Sequence, residues 1–152
     1  MPLPDPKRGL VIRYSFLWSD ERRTGATEGR KDRPCAIVIS KKFEETGATQ
    51  VTVVPITHAA PPQADRRIHL KLDDADCRKL GLDHQDHWVV LDELNRFEWP
   101  GYDLRPIPGT DRYDYGMLPQ STFQKIVQAI IDLDKERKAT NQRRLAPLDR
   151  DA

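Results

Sequence analysis

An arginine fixed at the start of an apolar strand is the residue of this chain best suited to hold a phosphate. Arg33 sits in Gly29-Arg30-Lys31-Asp32-Arg33-Pro34, which runs directly into Cys35-Ala36-Ile37-Val38-Ile39-Ser40. Proline fixes its own φ and biases the preceding residue toward an extended conformation. The guanidinium is therefore presented from a rigid position, where its planar fork can take two oxygens of a phosphate. A surface ion pair is the other fate open to an arginine at the end of a loop. Against that reading stands a second landmark, Val53-Val54-Pro55-Ile56-Thr57-His58, which ends the next strand with a hydroxyl and an imidazole.

Composition bounds what such a site could serve. The chain has 152 residues, enough for one domain that buries a core without disulfides or metal. Its net charge is +1, from 25 basic and 24 acidic residues, so the global basic field typical of duplex-binding proteins is missing and any basic surface is local. No apolar run resembles a membrane span or the core of a signal peptide. Cys35 and Cys77 form no CxxC pair, and Cys35 reads as a reduced, buried thiol. These features predict a soluble cytoplasmic protein.

The elements that must position Arg33 and Thr57 are mostly short strands. Residues 1–8 alternate prolines with other residues and read as a flexible, extended lead-in. Gly9–Trp18 is β-branched and aromatic, a first strand. Residues 19–32 are polar and breaker-rich, which predicts a long loop with no helix. Strands follow at Cys35–Ser40 and Gln50–Ile56, a loop at Ala59–Arg66, and a short strand at Arg67–Leu72 in which Ile68, Leu70 and Leu72 alternate inward. Asp73–Leu80 fits one or two helical turns. His87–Leu91 is a further strand that Asp92–Trp99 continues through a bend, Pro100-Gly101 marks a turn, and Leu104–Pro108 is ambiguous. Ser121 with Gln124 forms a capping-box pattern, and Phe123, Ile126, Val127, Ile130 and Ile131 lie on one helical stripe. One helix from Ser121 to near Lys138 is expected, with a polar, fraying tail over 139–152. The predicted fold is mainly β: a small curled barrel of antiparallel strands over residues 9–138 with a C-terminal α-helix packed on it.

The order of landmarks, from the Gly-x-x-x-Arg-Pro strand through Pro55-Ile56-Thr57 to Asp92-Glu93-Leu94-Asn95-Arg96 and a helix, resembles the PemK/MazF family of toxins from bacterial type II toxin–antitoxin pairs. The resemblance covers about residues 9 to 135. It implies an SH3-like barrel, a homodimer, metal-independent cleavage of single-stranded RNA, and neutralisation by a cognate antitoxin. Arg33 falls on the family's catalytic arginine, Thr57 on its hydroxyl residue, Glu93 on an acidic position, and Arg96 on a recurrent arginine. The chain departs from the pattern in three places. Leu91 stands where some members carry a further arginine, His58 where a small hydroxyl residue is usual, and Glu93 where aspartate is usual.

Metal-free cleavage uses the RNA's own 2′-hydroxyl, so it needs a charge stabiliser and proton carriers rather than a nucleophilic side chain. Arg33, Thr57 and Glu93 are the expected catalytic residues, with no cofactor and no metal. Thr57 is not a base at neutral pH, but its hydroxyl can hold a phosphate oxygen in line. Arg30, Lys31, His58, Arg96 and Trp99 are expected to bind RNA. His58 offers acid–base chemistry or is a plain loop histidine. His84 and His87 read as polar surface rather than metal ligands. Of the tryptophans, Trp18 and Trp99 are stacking candidates, whereas Trp88 reads as core. Two rival functions remain on the same barrel: a catalytically inactive RNA-binding module and a protein-interaction adaptor.

Overall fold

The computed structural model describes residues 3–26, 31–62 and 68–151. Its elements are β1 (Leu10–Tyr14), α1 (Ser19–Arg23), β2 (Arg33–Lys42), β3 (Thr49–Thr57), β4 (His69–Lys71), α2 (Asp74–Lys79), β5 (Trp88–Val90), β6 (Asn95–Glu98), β7 (Asp114–Met117), α3 (Gln120–Ala139) and β8 (Leu148–Asp149). The strands run in the order β4-β5-β3-β2-β1-β7, with β6 on β3 and β8 on β6. Every pairing is antiparallel except β6 with β8. The expected bent antiparallel sheet with a C-terminal helix is therefore present.

β2 and β3 are the spine because their alternating side chains fill two cores. Ala36, Val38, Val54 and Ile56 face the first, which Phe123, Ile126 and Leu133 of α3 and Cys77 and Leu80 beside α2 close. Cys35, Ile37, Val51 and Val53 face the second, together with Ile12, Tyr14, Phe16 and Phe97. β3 is shared between two partners. Gln50–Val53 pairs with β6, and Ile56–Thr57 pairs with β5, so the sheet parts at the C-terminal end of β3. A cleft opens where that separation meets the start of β2.

Four expectations are corrected. Residues 19–32 contain α1, whose start is fixed by the Trp18 N–H donating to Glu21 Oε1 at 3.0 Å and whose charges run from acidic Asp20 and Glu21 to basic Arg22 and Arg23. The expected C-terminal helix is present as α3, but its N-cap is Pro119 rather than Ser121, with the Pro119 carbonyl accepting from the Phe123 N–H at 2.9 Å. His87 does not lie on the polar surface: it is 5% exposed, and Nε2 lies 3.0 Å from Asp83 Oδ1.

The fourth correction concerns the tail, which does not fray. Past the left-handed Asn141, Asp134 receives Arg144 Nε at 2.7 Å and the Leu145 N–H at 3.0 Å. β8 then lies parallel to β6, and Arg150 enters the protein with its side chain only 2% exposed. Arg150 donates to the Ser15 carbonyl at 2.8 Å, to Asn95 Oδ1 at 3.0 Å and to Asp103 Oδ2 at 2.7 Å, with its guanidinium 5.3 Å from the Tyr14 ring centre. Among the described residues no helix is long and apolar enough to cross a membrane.

Candidate functional site

Arg33 opens β2 and Thr57 closes β3. The Cys35↔Pro55 pair fixes the register, and each residue lies two positions beyond it, so both share that pair's face. They line a cleft of about 460 Å³ together with Trp18, Lys31, His58 and Glu93. Ala60, Pro61 and Pro62, which follow β3, also line it, as do Val90 at the end of β5 and Asp92 just past it.

Arg33 is half-buried, with its guanidinium 4.9 Å from the centre of the Trp18 ring. Its buried Nε has no hydrogen-bond partner among the described residues. Burial lowers the Arg33 pKa from the ordinary arginine value, although a guanidinium stays cationic in water at neutral pH. Arg96 Nε is likewise without a partner among the described residues, so what sets Arg33 apart is its place in the cleft, where a half-buried cation favours an anion. Thr57 Oγ1 accepts the Ala59 N–H at 3.2 Å, which leaves its own proton free to be donated into the cleft.

Glu93 has both carboxylate oxygens engaged. The Ser19 N–H donates to Oε1 at 2.8 Å and the Ser19 hydroxyl to Oε2 at 2.7 Å. Burial raises the Glu93 pKa above the usual glutamate value, and the two Ser19 hydrogen bonds pull it back. Asp92 beside it is tied to α3 through Arg137 at 3.2 Å. Two residues on, fully buried Asn95 accepts the Leu17 N–H at 2.9 Å and donates to the Leu17 carbonyl at 2.8 Å. Glu93 and Asn95 thus clamp residues 17–19, and Trp18 between them is the platform under Arg33. Sequence reasoning passed over Ser19 and Asn95 in this role, because their partners lie more than 70 positions away.

Five of the expected site residues, Arg33, Thr57, Glu93, Lys31 and His58, come together in the cleft. Arg30 lies outside the described residues. Arg96 and Trp99 are elsewhere. Arg96 pairs with Asp149 of the tail at 3.3 Å, and Trp99 packs against the second core with its ring centre 6.3 Å from that of Phe97. Trp18, one of the stacking candidates, lines the cleft with the Arg33 guanidinium over its ring. The departure at position 91 leaves the cleft untouched, since Leu91 is 3% exposed and sits in the first core.

Residues 12–133 match the family model described as the PemK-like, MazF-like toxin of type II toxin–antitoxin systems, a span that contains every residue lining the cleft. No curated protein matches the chain.

Proposed function

The chain belongs to the PemK-like, MazF-like toxins of type II toxin–antitoxin systems, and from that premise we propose that it is a metal-independent endoribonuclease acting on single-stranded RNA. The observation that carries this reading is the Arg33 guanidinium, 4.9 Å from the Trp18 ring centre, in one cleft with the Thr57 hydroxyl. A phosphodiester fits those two donors.

In the proposed reaction the 2′-oxygen attacks the adjacent phosphorus and gives up its proton. The bond from phosphorus to the 5′-oxygen breaks, and that oxygen takes a proton as it leaves. Arg33 neutralises charge growing on the non-bridging oxygens, where a preorganised donor lowers the barrier most. Thr57 donates to one of them and keeps the linkage in line. Glu93 is the favoured proton carrier, because its burial raises the carboxyl pKa toward the range where general acid–base catalysis works. Lys31 and His58, exposed on the cleft rim, attract the RNA backbone. A homodimeric assembly and a cognate antitoxin that restrains the activity belong to the same proposal.

Incubating the pure protein with a long unstructured RNA in EDTA tests it. Fragments ending in 2′,3′-cyclic phosphate and 5′-hydroxyl support the reading. Retention of RNA without cleavage makes the chain a binding module, and neither outcome leaves only the protein-interaction reading.

A further inference from the structure

Thr57 is the first member of a row of side chains that continues across the sheet beyond the cleft. Thr57 of β3 pairs with Trp88 of β5, and Trp88 pairs in turn with Lys71 of β4. Directly opposed residues in antiparallel strands project to the same face. Hydroxyl, indole and ammonium therefore stand in line, with one strand spacing of about 5 Å between successive backbones. A second cleft of about 360 Å³ lies over this row, lined by Trp88, Lys71, His69, Ala60 and Pro61. His69, Ala60 and Pro61 also line the cleft of Arg33, so the two clefts adjoin along one face. Trp88 is half-buried and a member of neither core, contrary to the expectation that it is core. Among the described residues Lys71 pairs with Asp86, at 3.5 Å, and both side chains are more than half exposed, a pairing that water and salt readily exchange.

We infer that the groove from Thr57 to Lys71 is a binding subsite for the nucleotide next to the phosphate held at Arg33, with Trp88 stacking its base and Lys71 meeting its far phosphate. The inference rests on the reading of this chain as acting on single-stranded RNA. An indole is a sequence-tolerant platform for any base. The row spans about one extended nucleotide plus the reach of a lysine side chain, and it starts at the hydroxyl assigned to the scissile linkage. The flanking cation matches the charge of the backbone.

The test uses the full chain and a labelled single-stranded oligoribonucleotide covering the bond cleaved, or the segment retained, in the EDTA experiment. A 2′-deoxy nucleotide at the scissile position prevents cleavage, and an abasic residue is stepped through each position in turn. One abasic position beside the scissile linkage should weaken binding about 5- to 150-fold, the range for loss of one base–aromatic stack. Trp88→Ala should show the same loss on the intact oligonucleotide and no further loss on the abasic one, while Trp88→Phe keeps most of the affinity. Lys71→Gln should lower the slope of log affinity against log salt by about one. A folded Trp88→Ala protein that binds the intact oligonucleotide like the parent, or that suffers the full abasic penalty, overturns the subsite while leaving the nuclease reading intact. Should Trp88→Ala fail to fold, an absent abasic penalty combined with an unchanged salt slope in Lys71→Gln overturns it. A parent chain that neither binds nor cleaves RNA removes the functional reading, and the subsite with it.

Discussion

The guanidinium of Arg33 lies 4.9 Å from the centre of the Trp18 ring. That contact holds the guanidinium in place before any anion arrives, and Trp18 is itself held from both sides. Leu17 is bound by Asn95, and Ser19 by Glu93. The turn between β5 and β6 thus sets the aim of an arginine that opens β2, with no direct contact required between them.

Removing the platform should weaken the site without erasing its charge. A cation–π contact of this kind is worth about 0.5–2 kcal/mol. Trp18→Ala is expected to lower the cleavage rate about 2- to 30-fold, and Trp18→Phe to retain most of it. Single-turnover cleavage of an unstructured RNA reads the difference. Equal rates in the alanine variant and the parent would show that Arg33 needs no support.

Glu93 makes a prediction in pH as well as in rate. Burial raises its pKa above the ordinary value of 4.5, so the folded protein holds that proton more tightly than the unfolded chain. Ionisation then opposes folding: the cost is absent below the ordinary value, grows as pH rises through the raised one, and is full above it. Glu93→Gln carries no such cost. Its melting temperature should therefore improve relative to the parent as pH rises from about 4. The same variant should cleave about 100-fold more slowly or worse while binding RNA nearly as well, as expected for loss of a proton carrier. A pH-independent difference in melting temperature would contradict the assigned burial effect.

Arg150 is predicted to matter to stability although it lies beyond the family match, which ends at residue 133. Truncating it leaves the Asp103 carboxylate, 15% exposed, with the Arg105 guanidinium at 3.6 Å in place of its 2.7 Å partner, which puts the loss at the low end of the range for a buried pair, and removes donors from Ser15 and Asn95. Loss of one member of a buried charge pair costs about 3–5 kcal/mol. Urea unfolding of Arg150→Ala should show a loss of that order. An unchanged midpoint would mean that the tail is a passive appendage.

Much of this arrangement is legible in the chain because it is local. β-branched runs specify β2 and β3, the apolar stripe specifies α3, and Pro34 and Pro55 mark the strand ends where Arg33 and Thr57 sit. What escapes is decided by distant partners. Asp114–Met117 contains an aspartate and a glycine and has little strand propensity, yet it pairs with β1. The polar tail has no core face of its own, and its order comes from Asp134, β6 and the pocket around Tyr14. Arg96 and Trp99 share a segment with Glu93, but β6 runs along β3 away from the cleft and takes both with it.

The most direct measurement is the rate of metal-free RNA cleavage in EDTA by the parent chain, Arg33→Ala and Arg33→Lys. Removing a preorganised donor to a developing charge should lower the rate of Arg33→Ala about 100- to 1000-fold. Arg33→Lys should recover little of it, since an ammonium lacks the planar fork that takes two phosphate oxygens. Cleavage by Arg33→Ala at the parent rate, with the same fragment ends, would contradict the account.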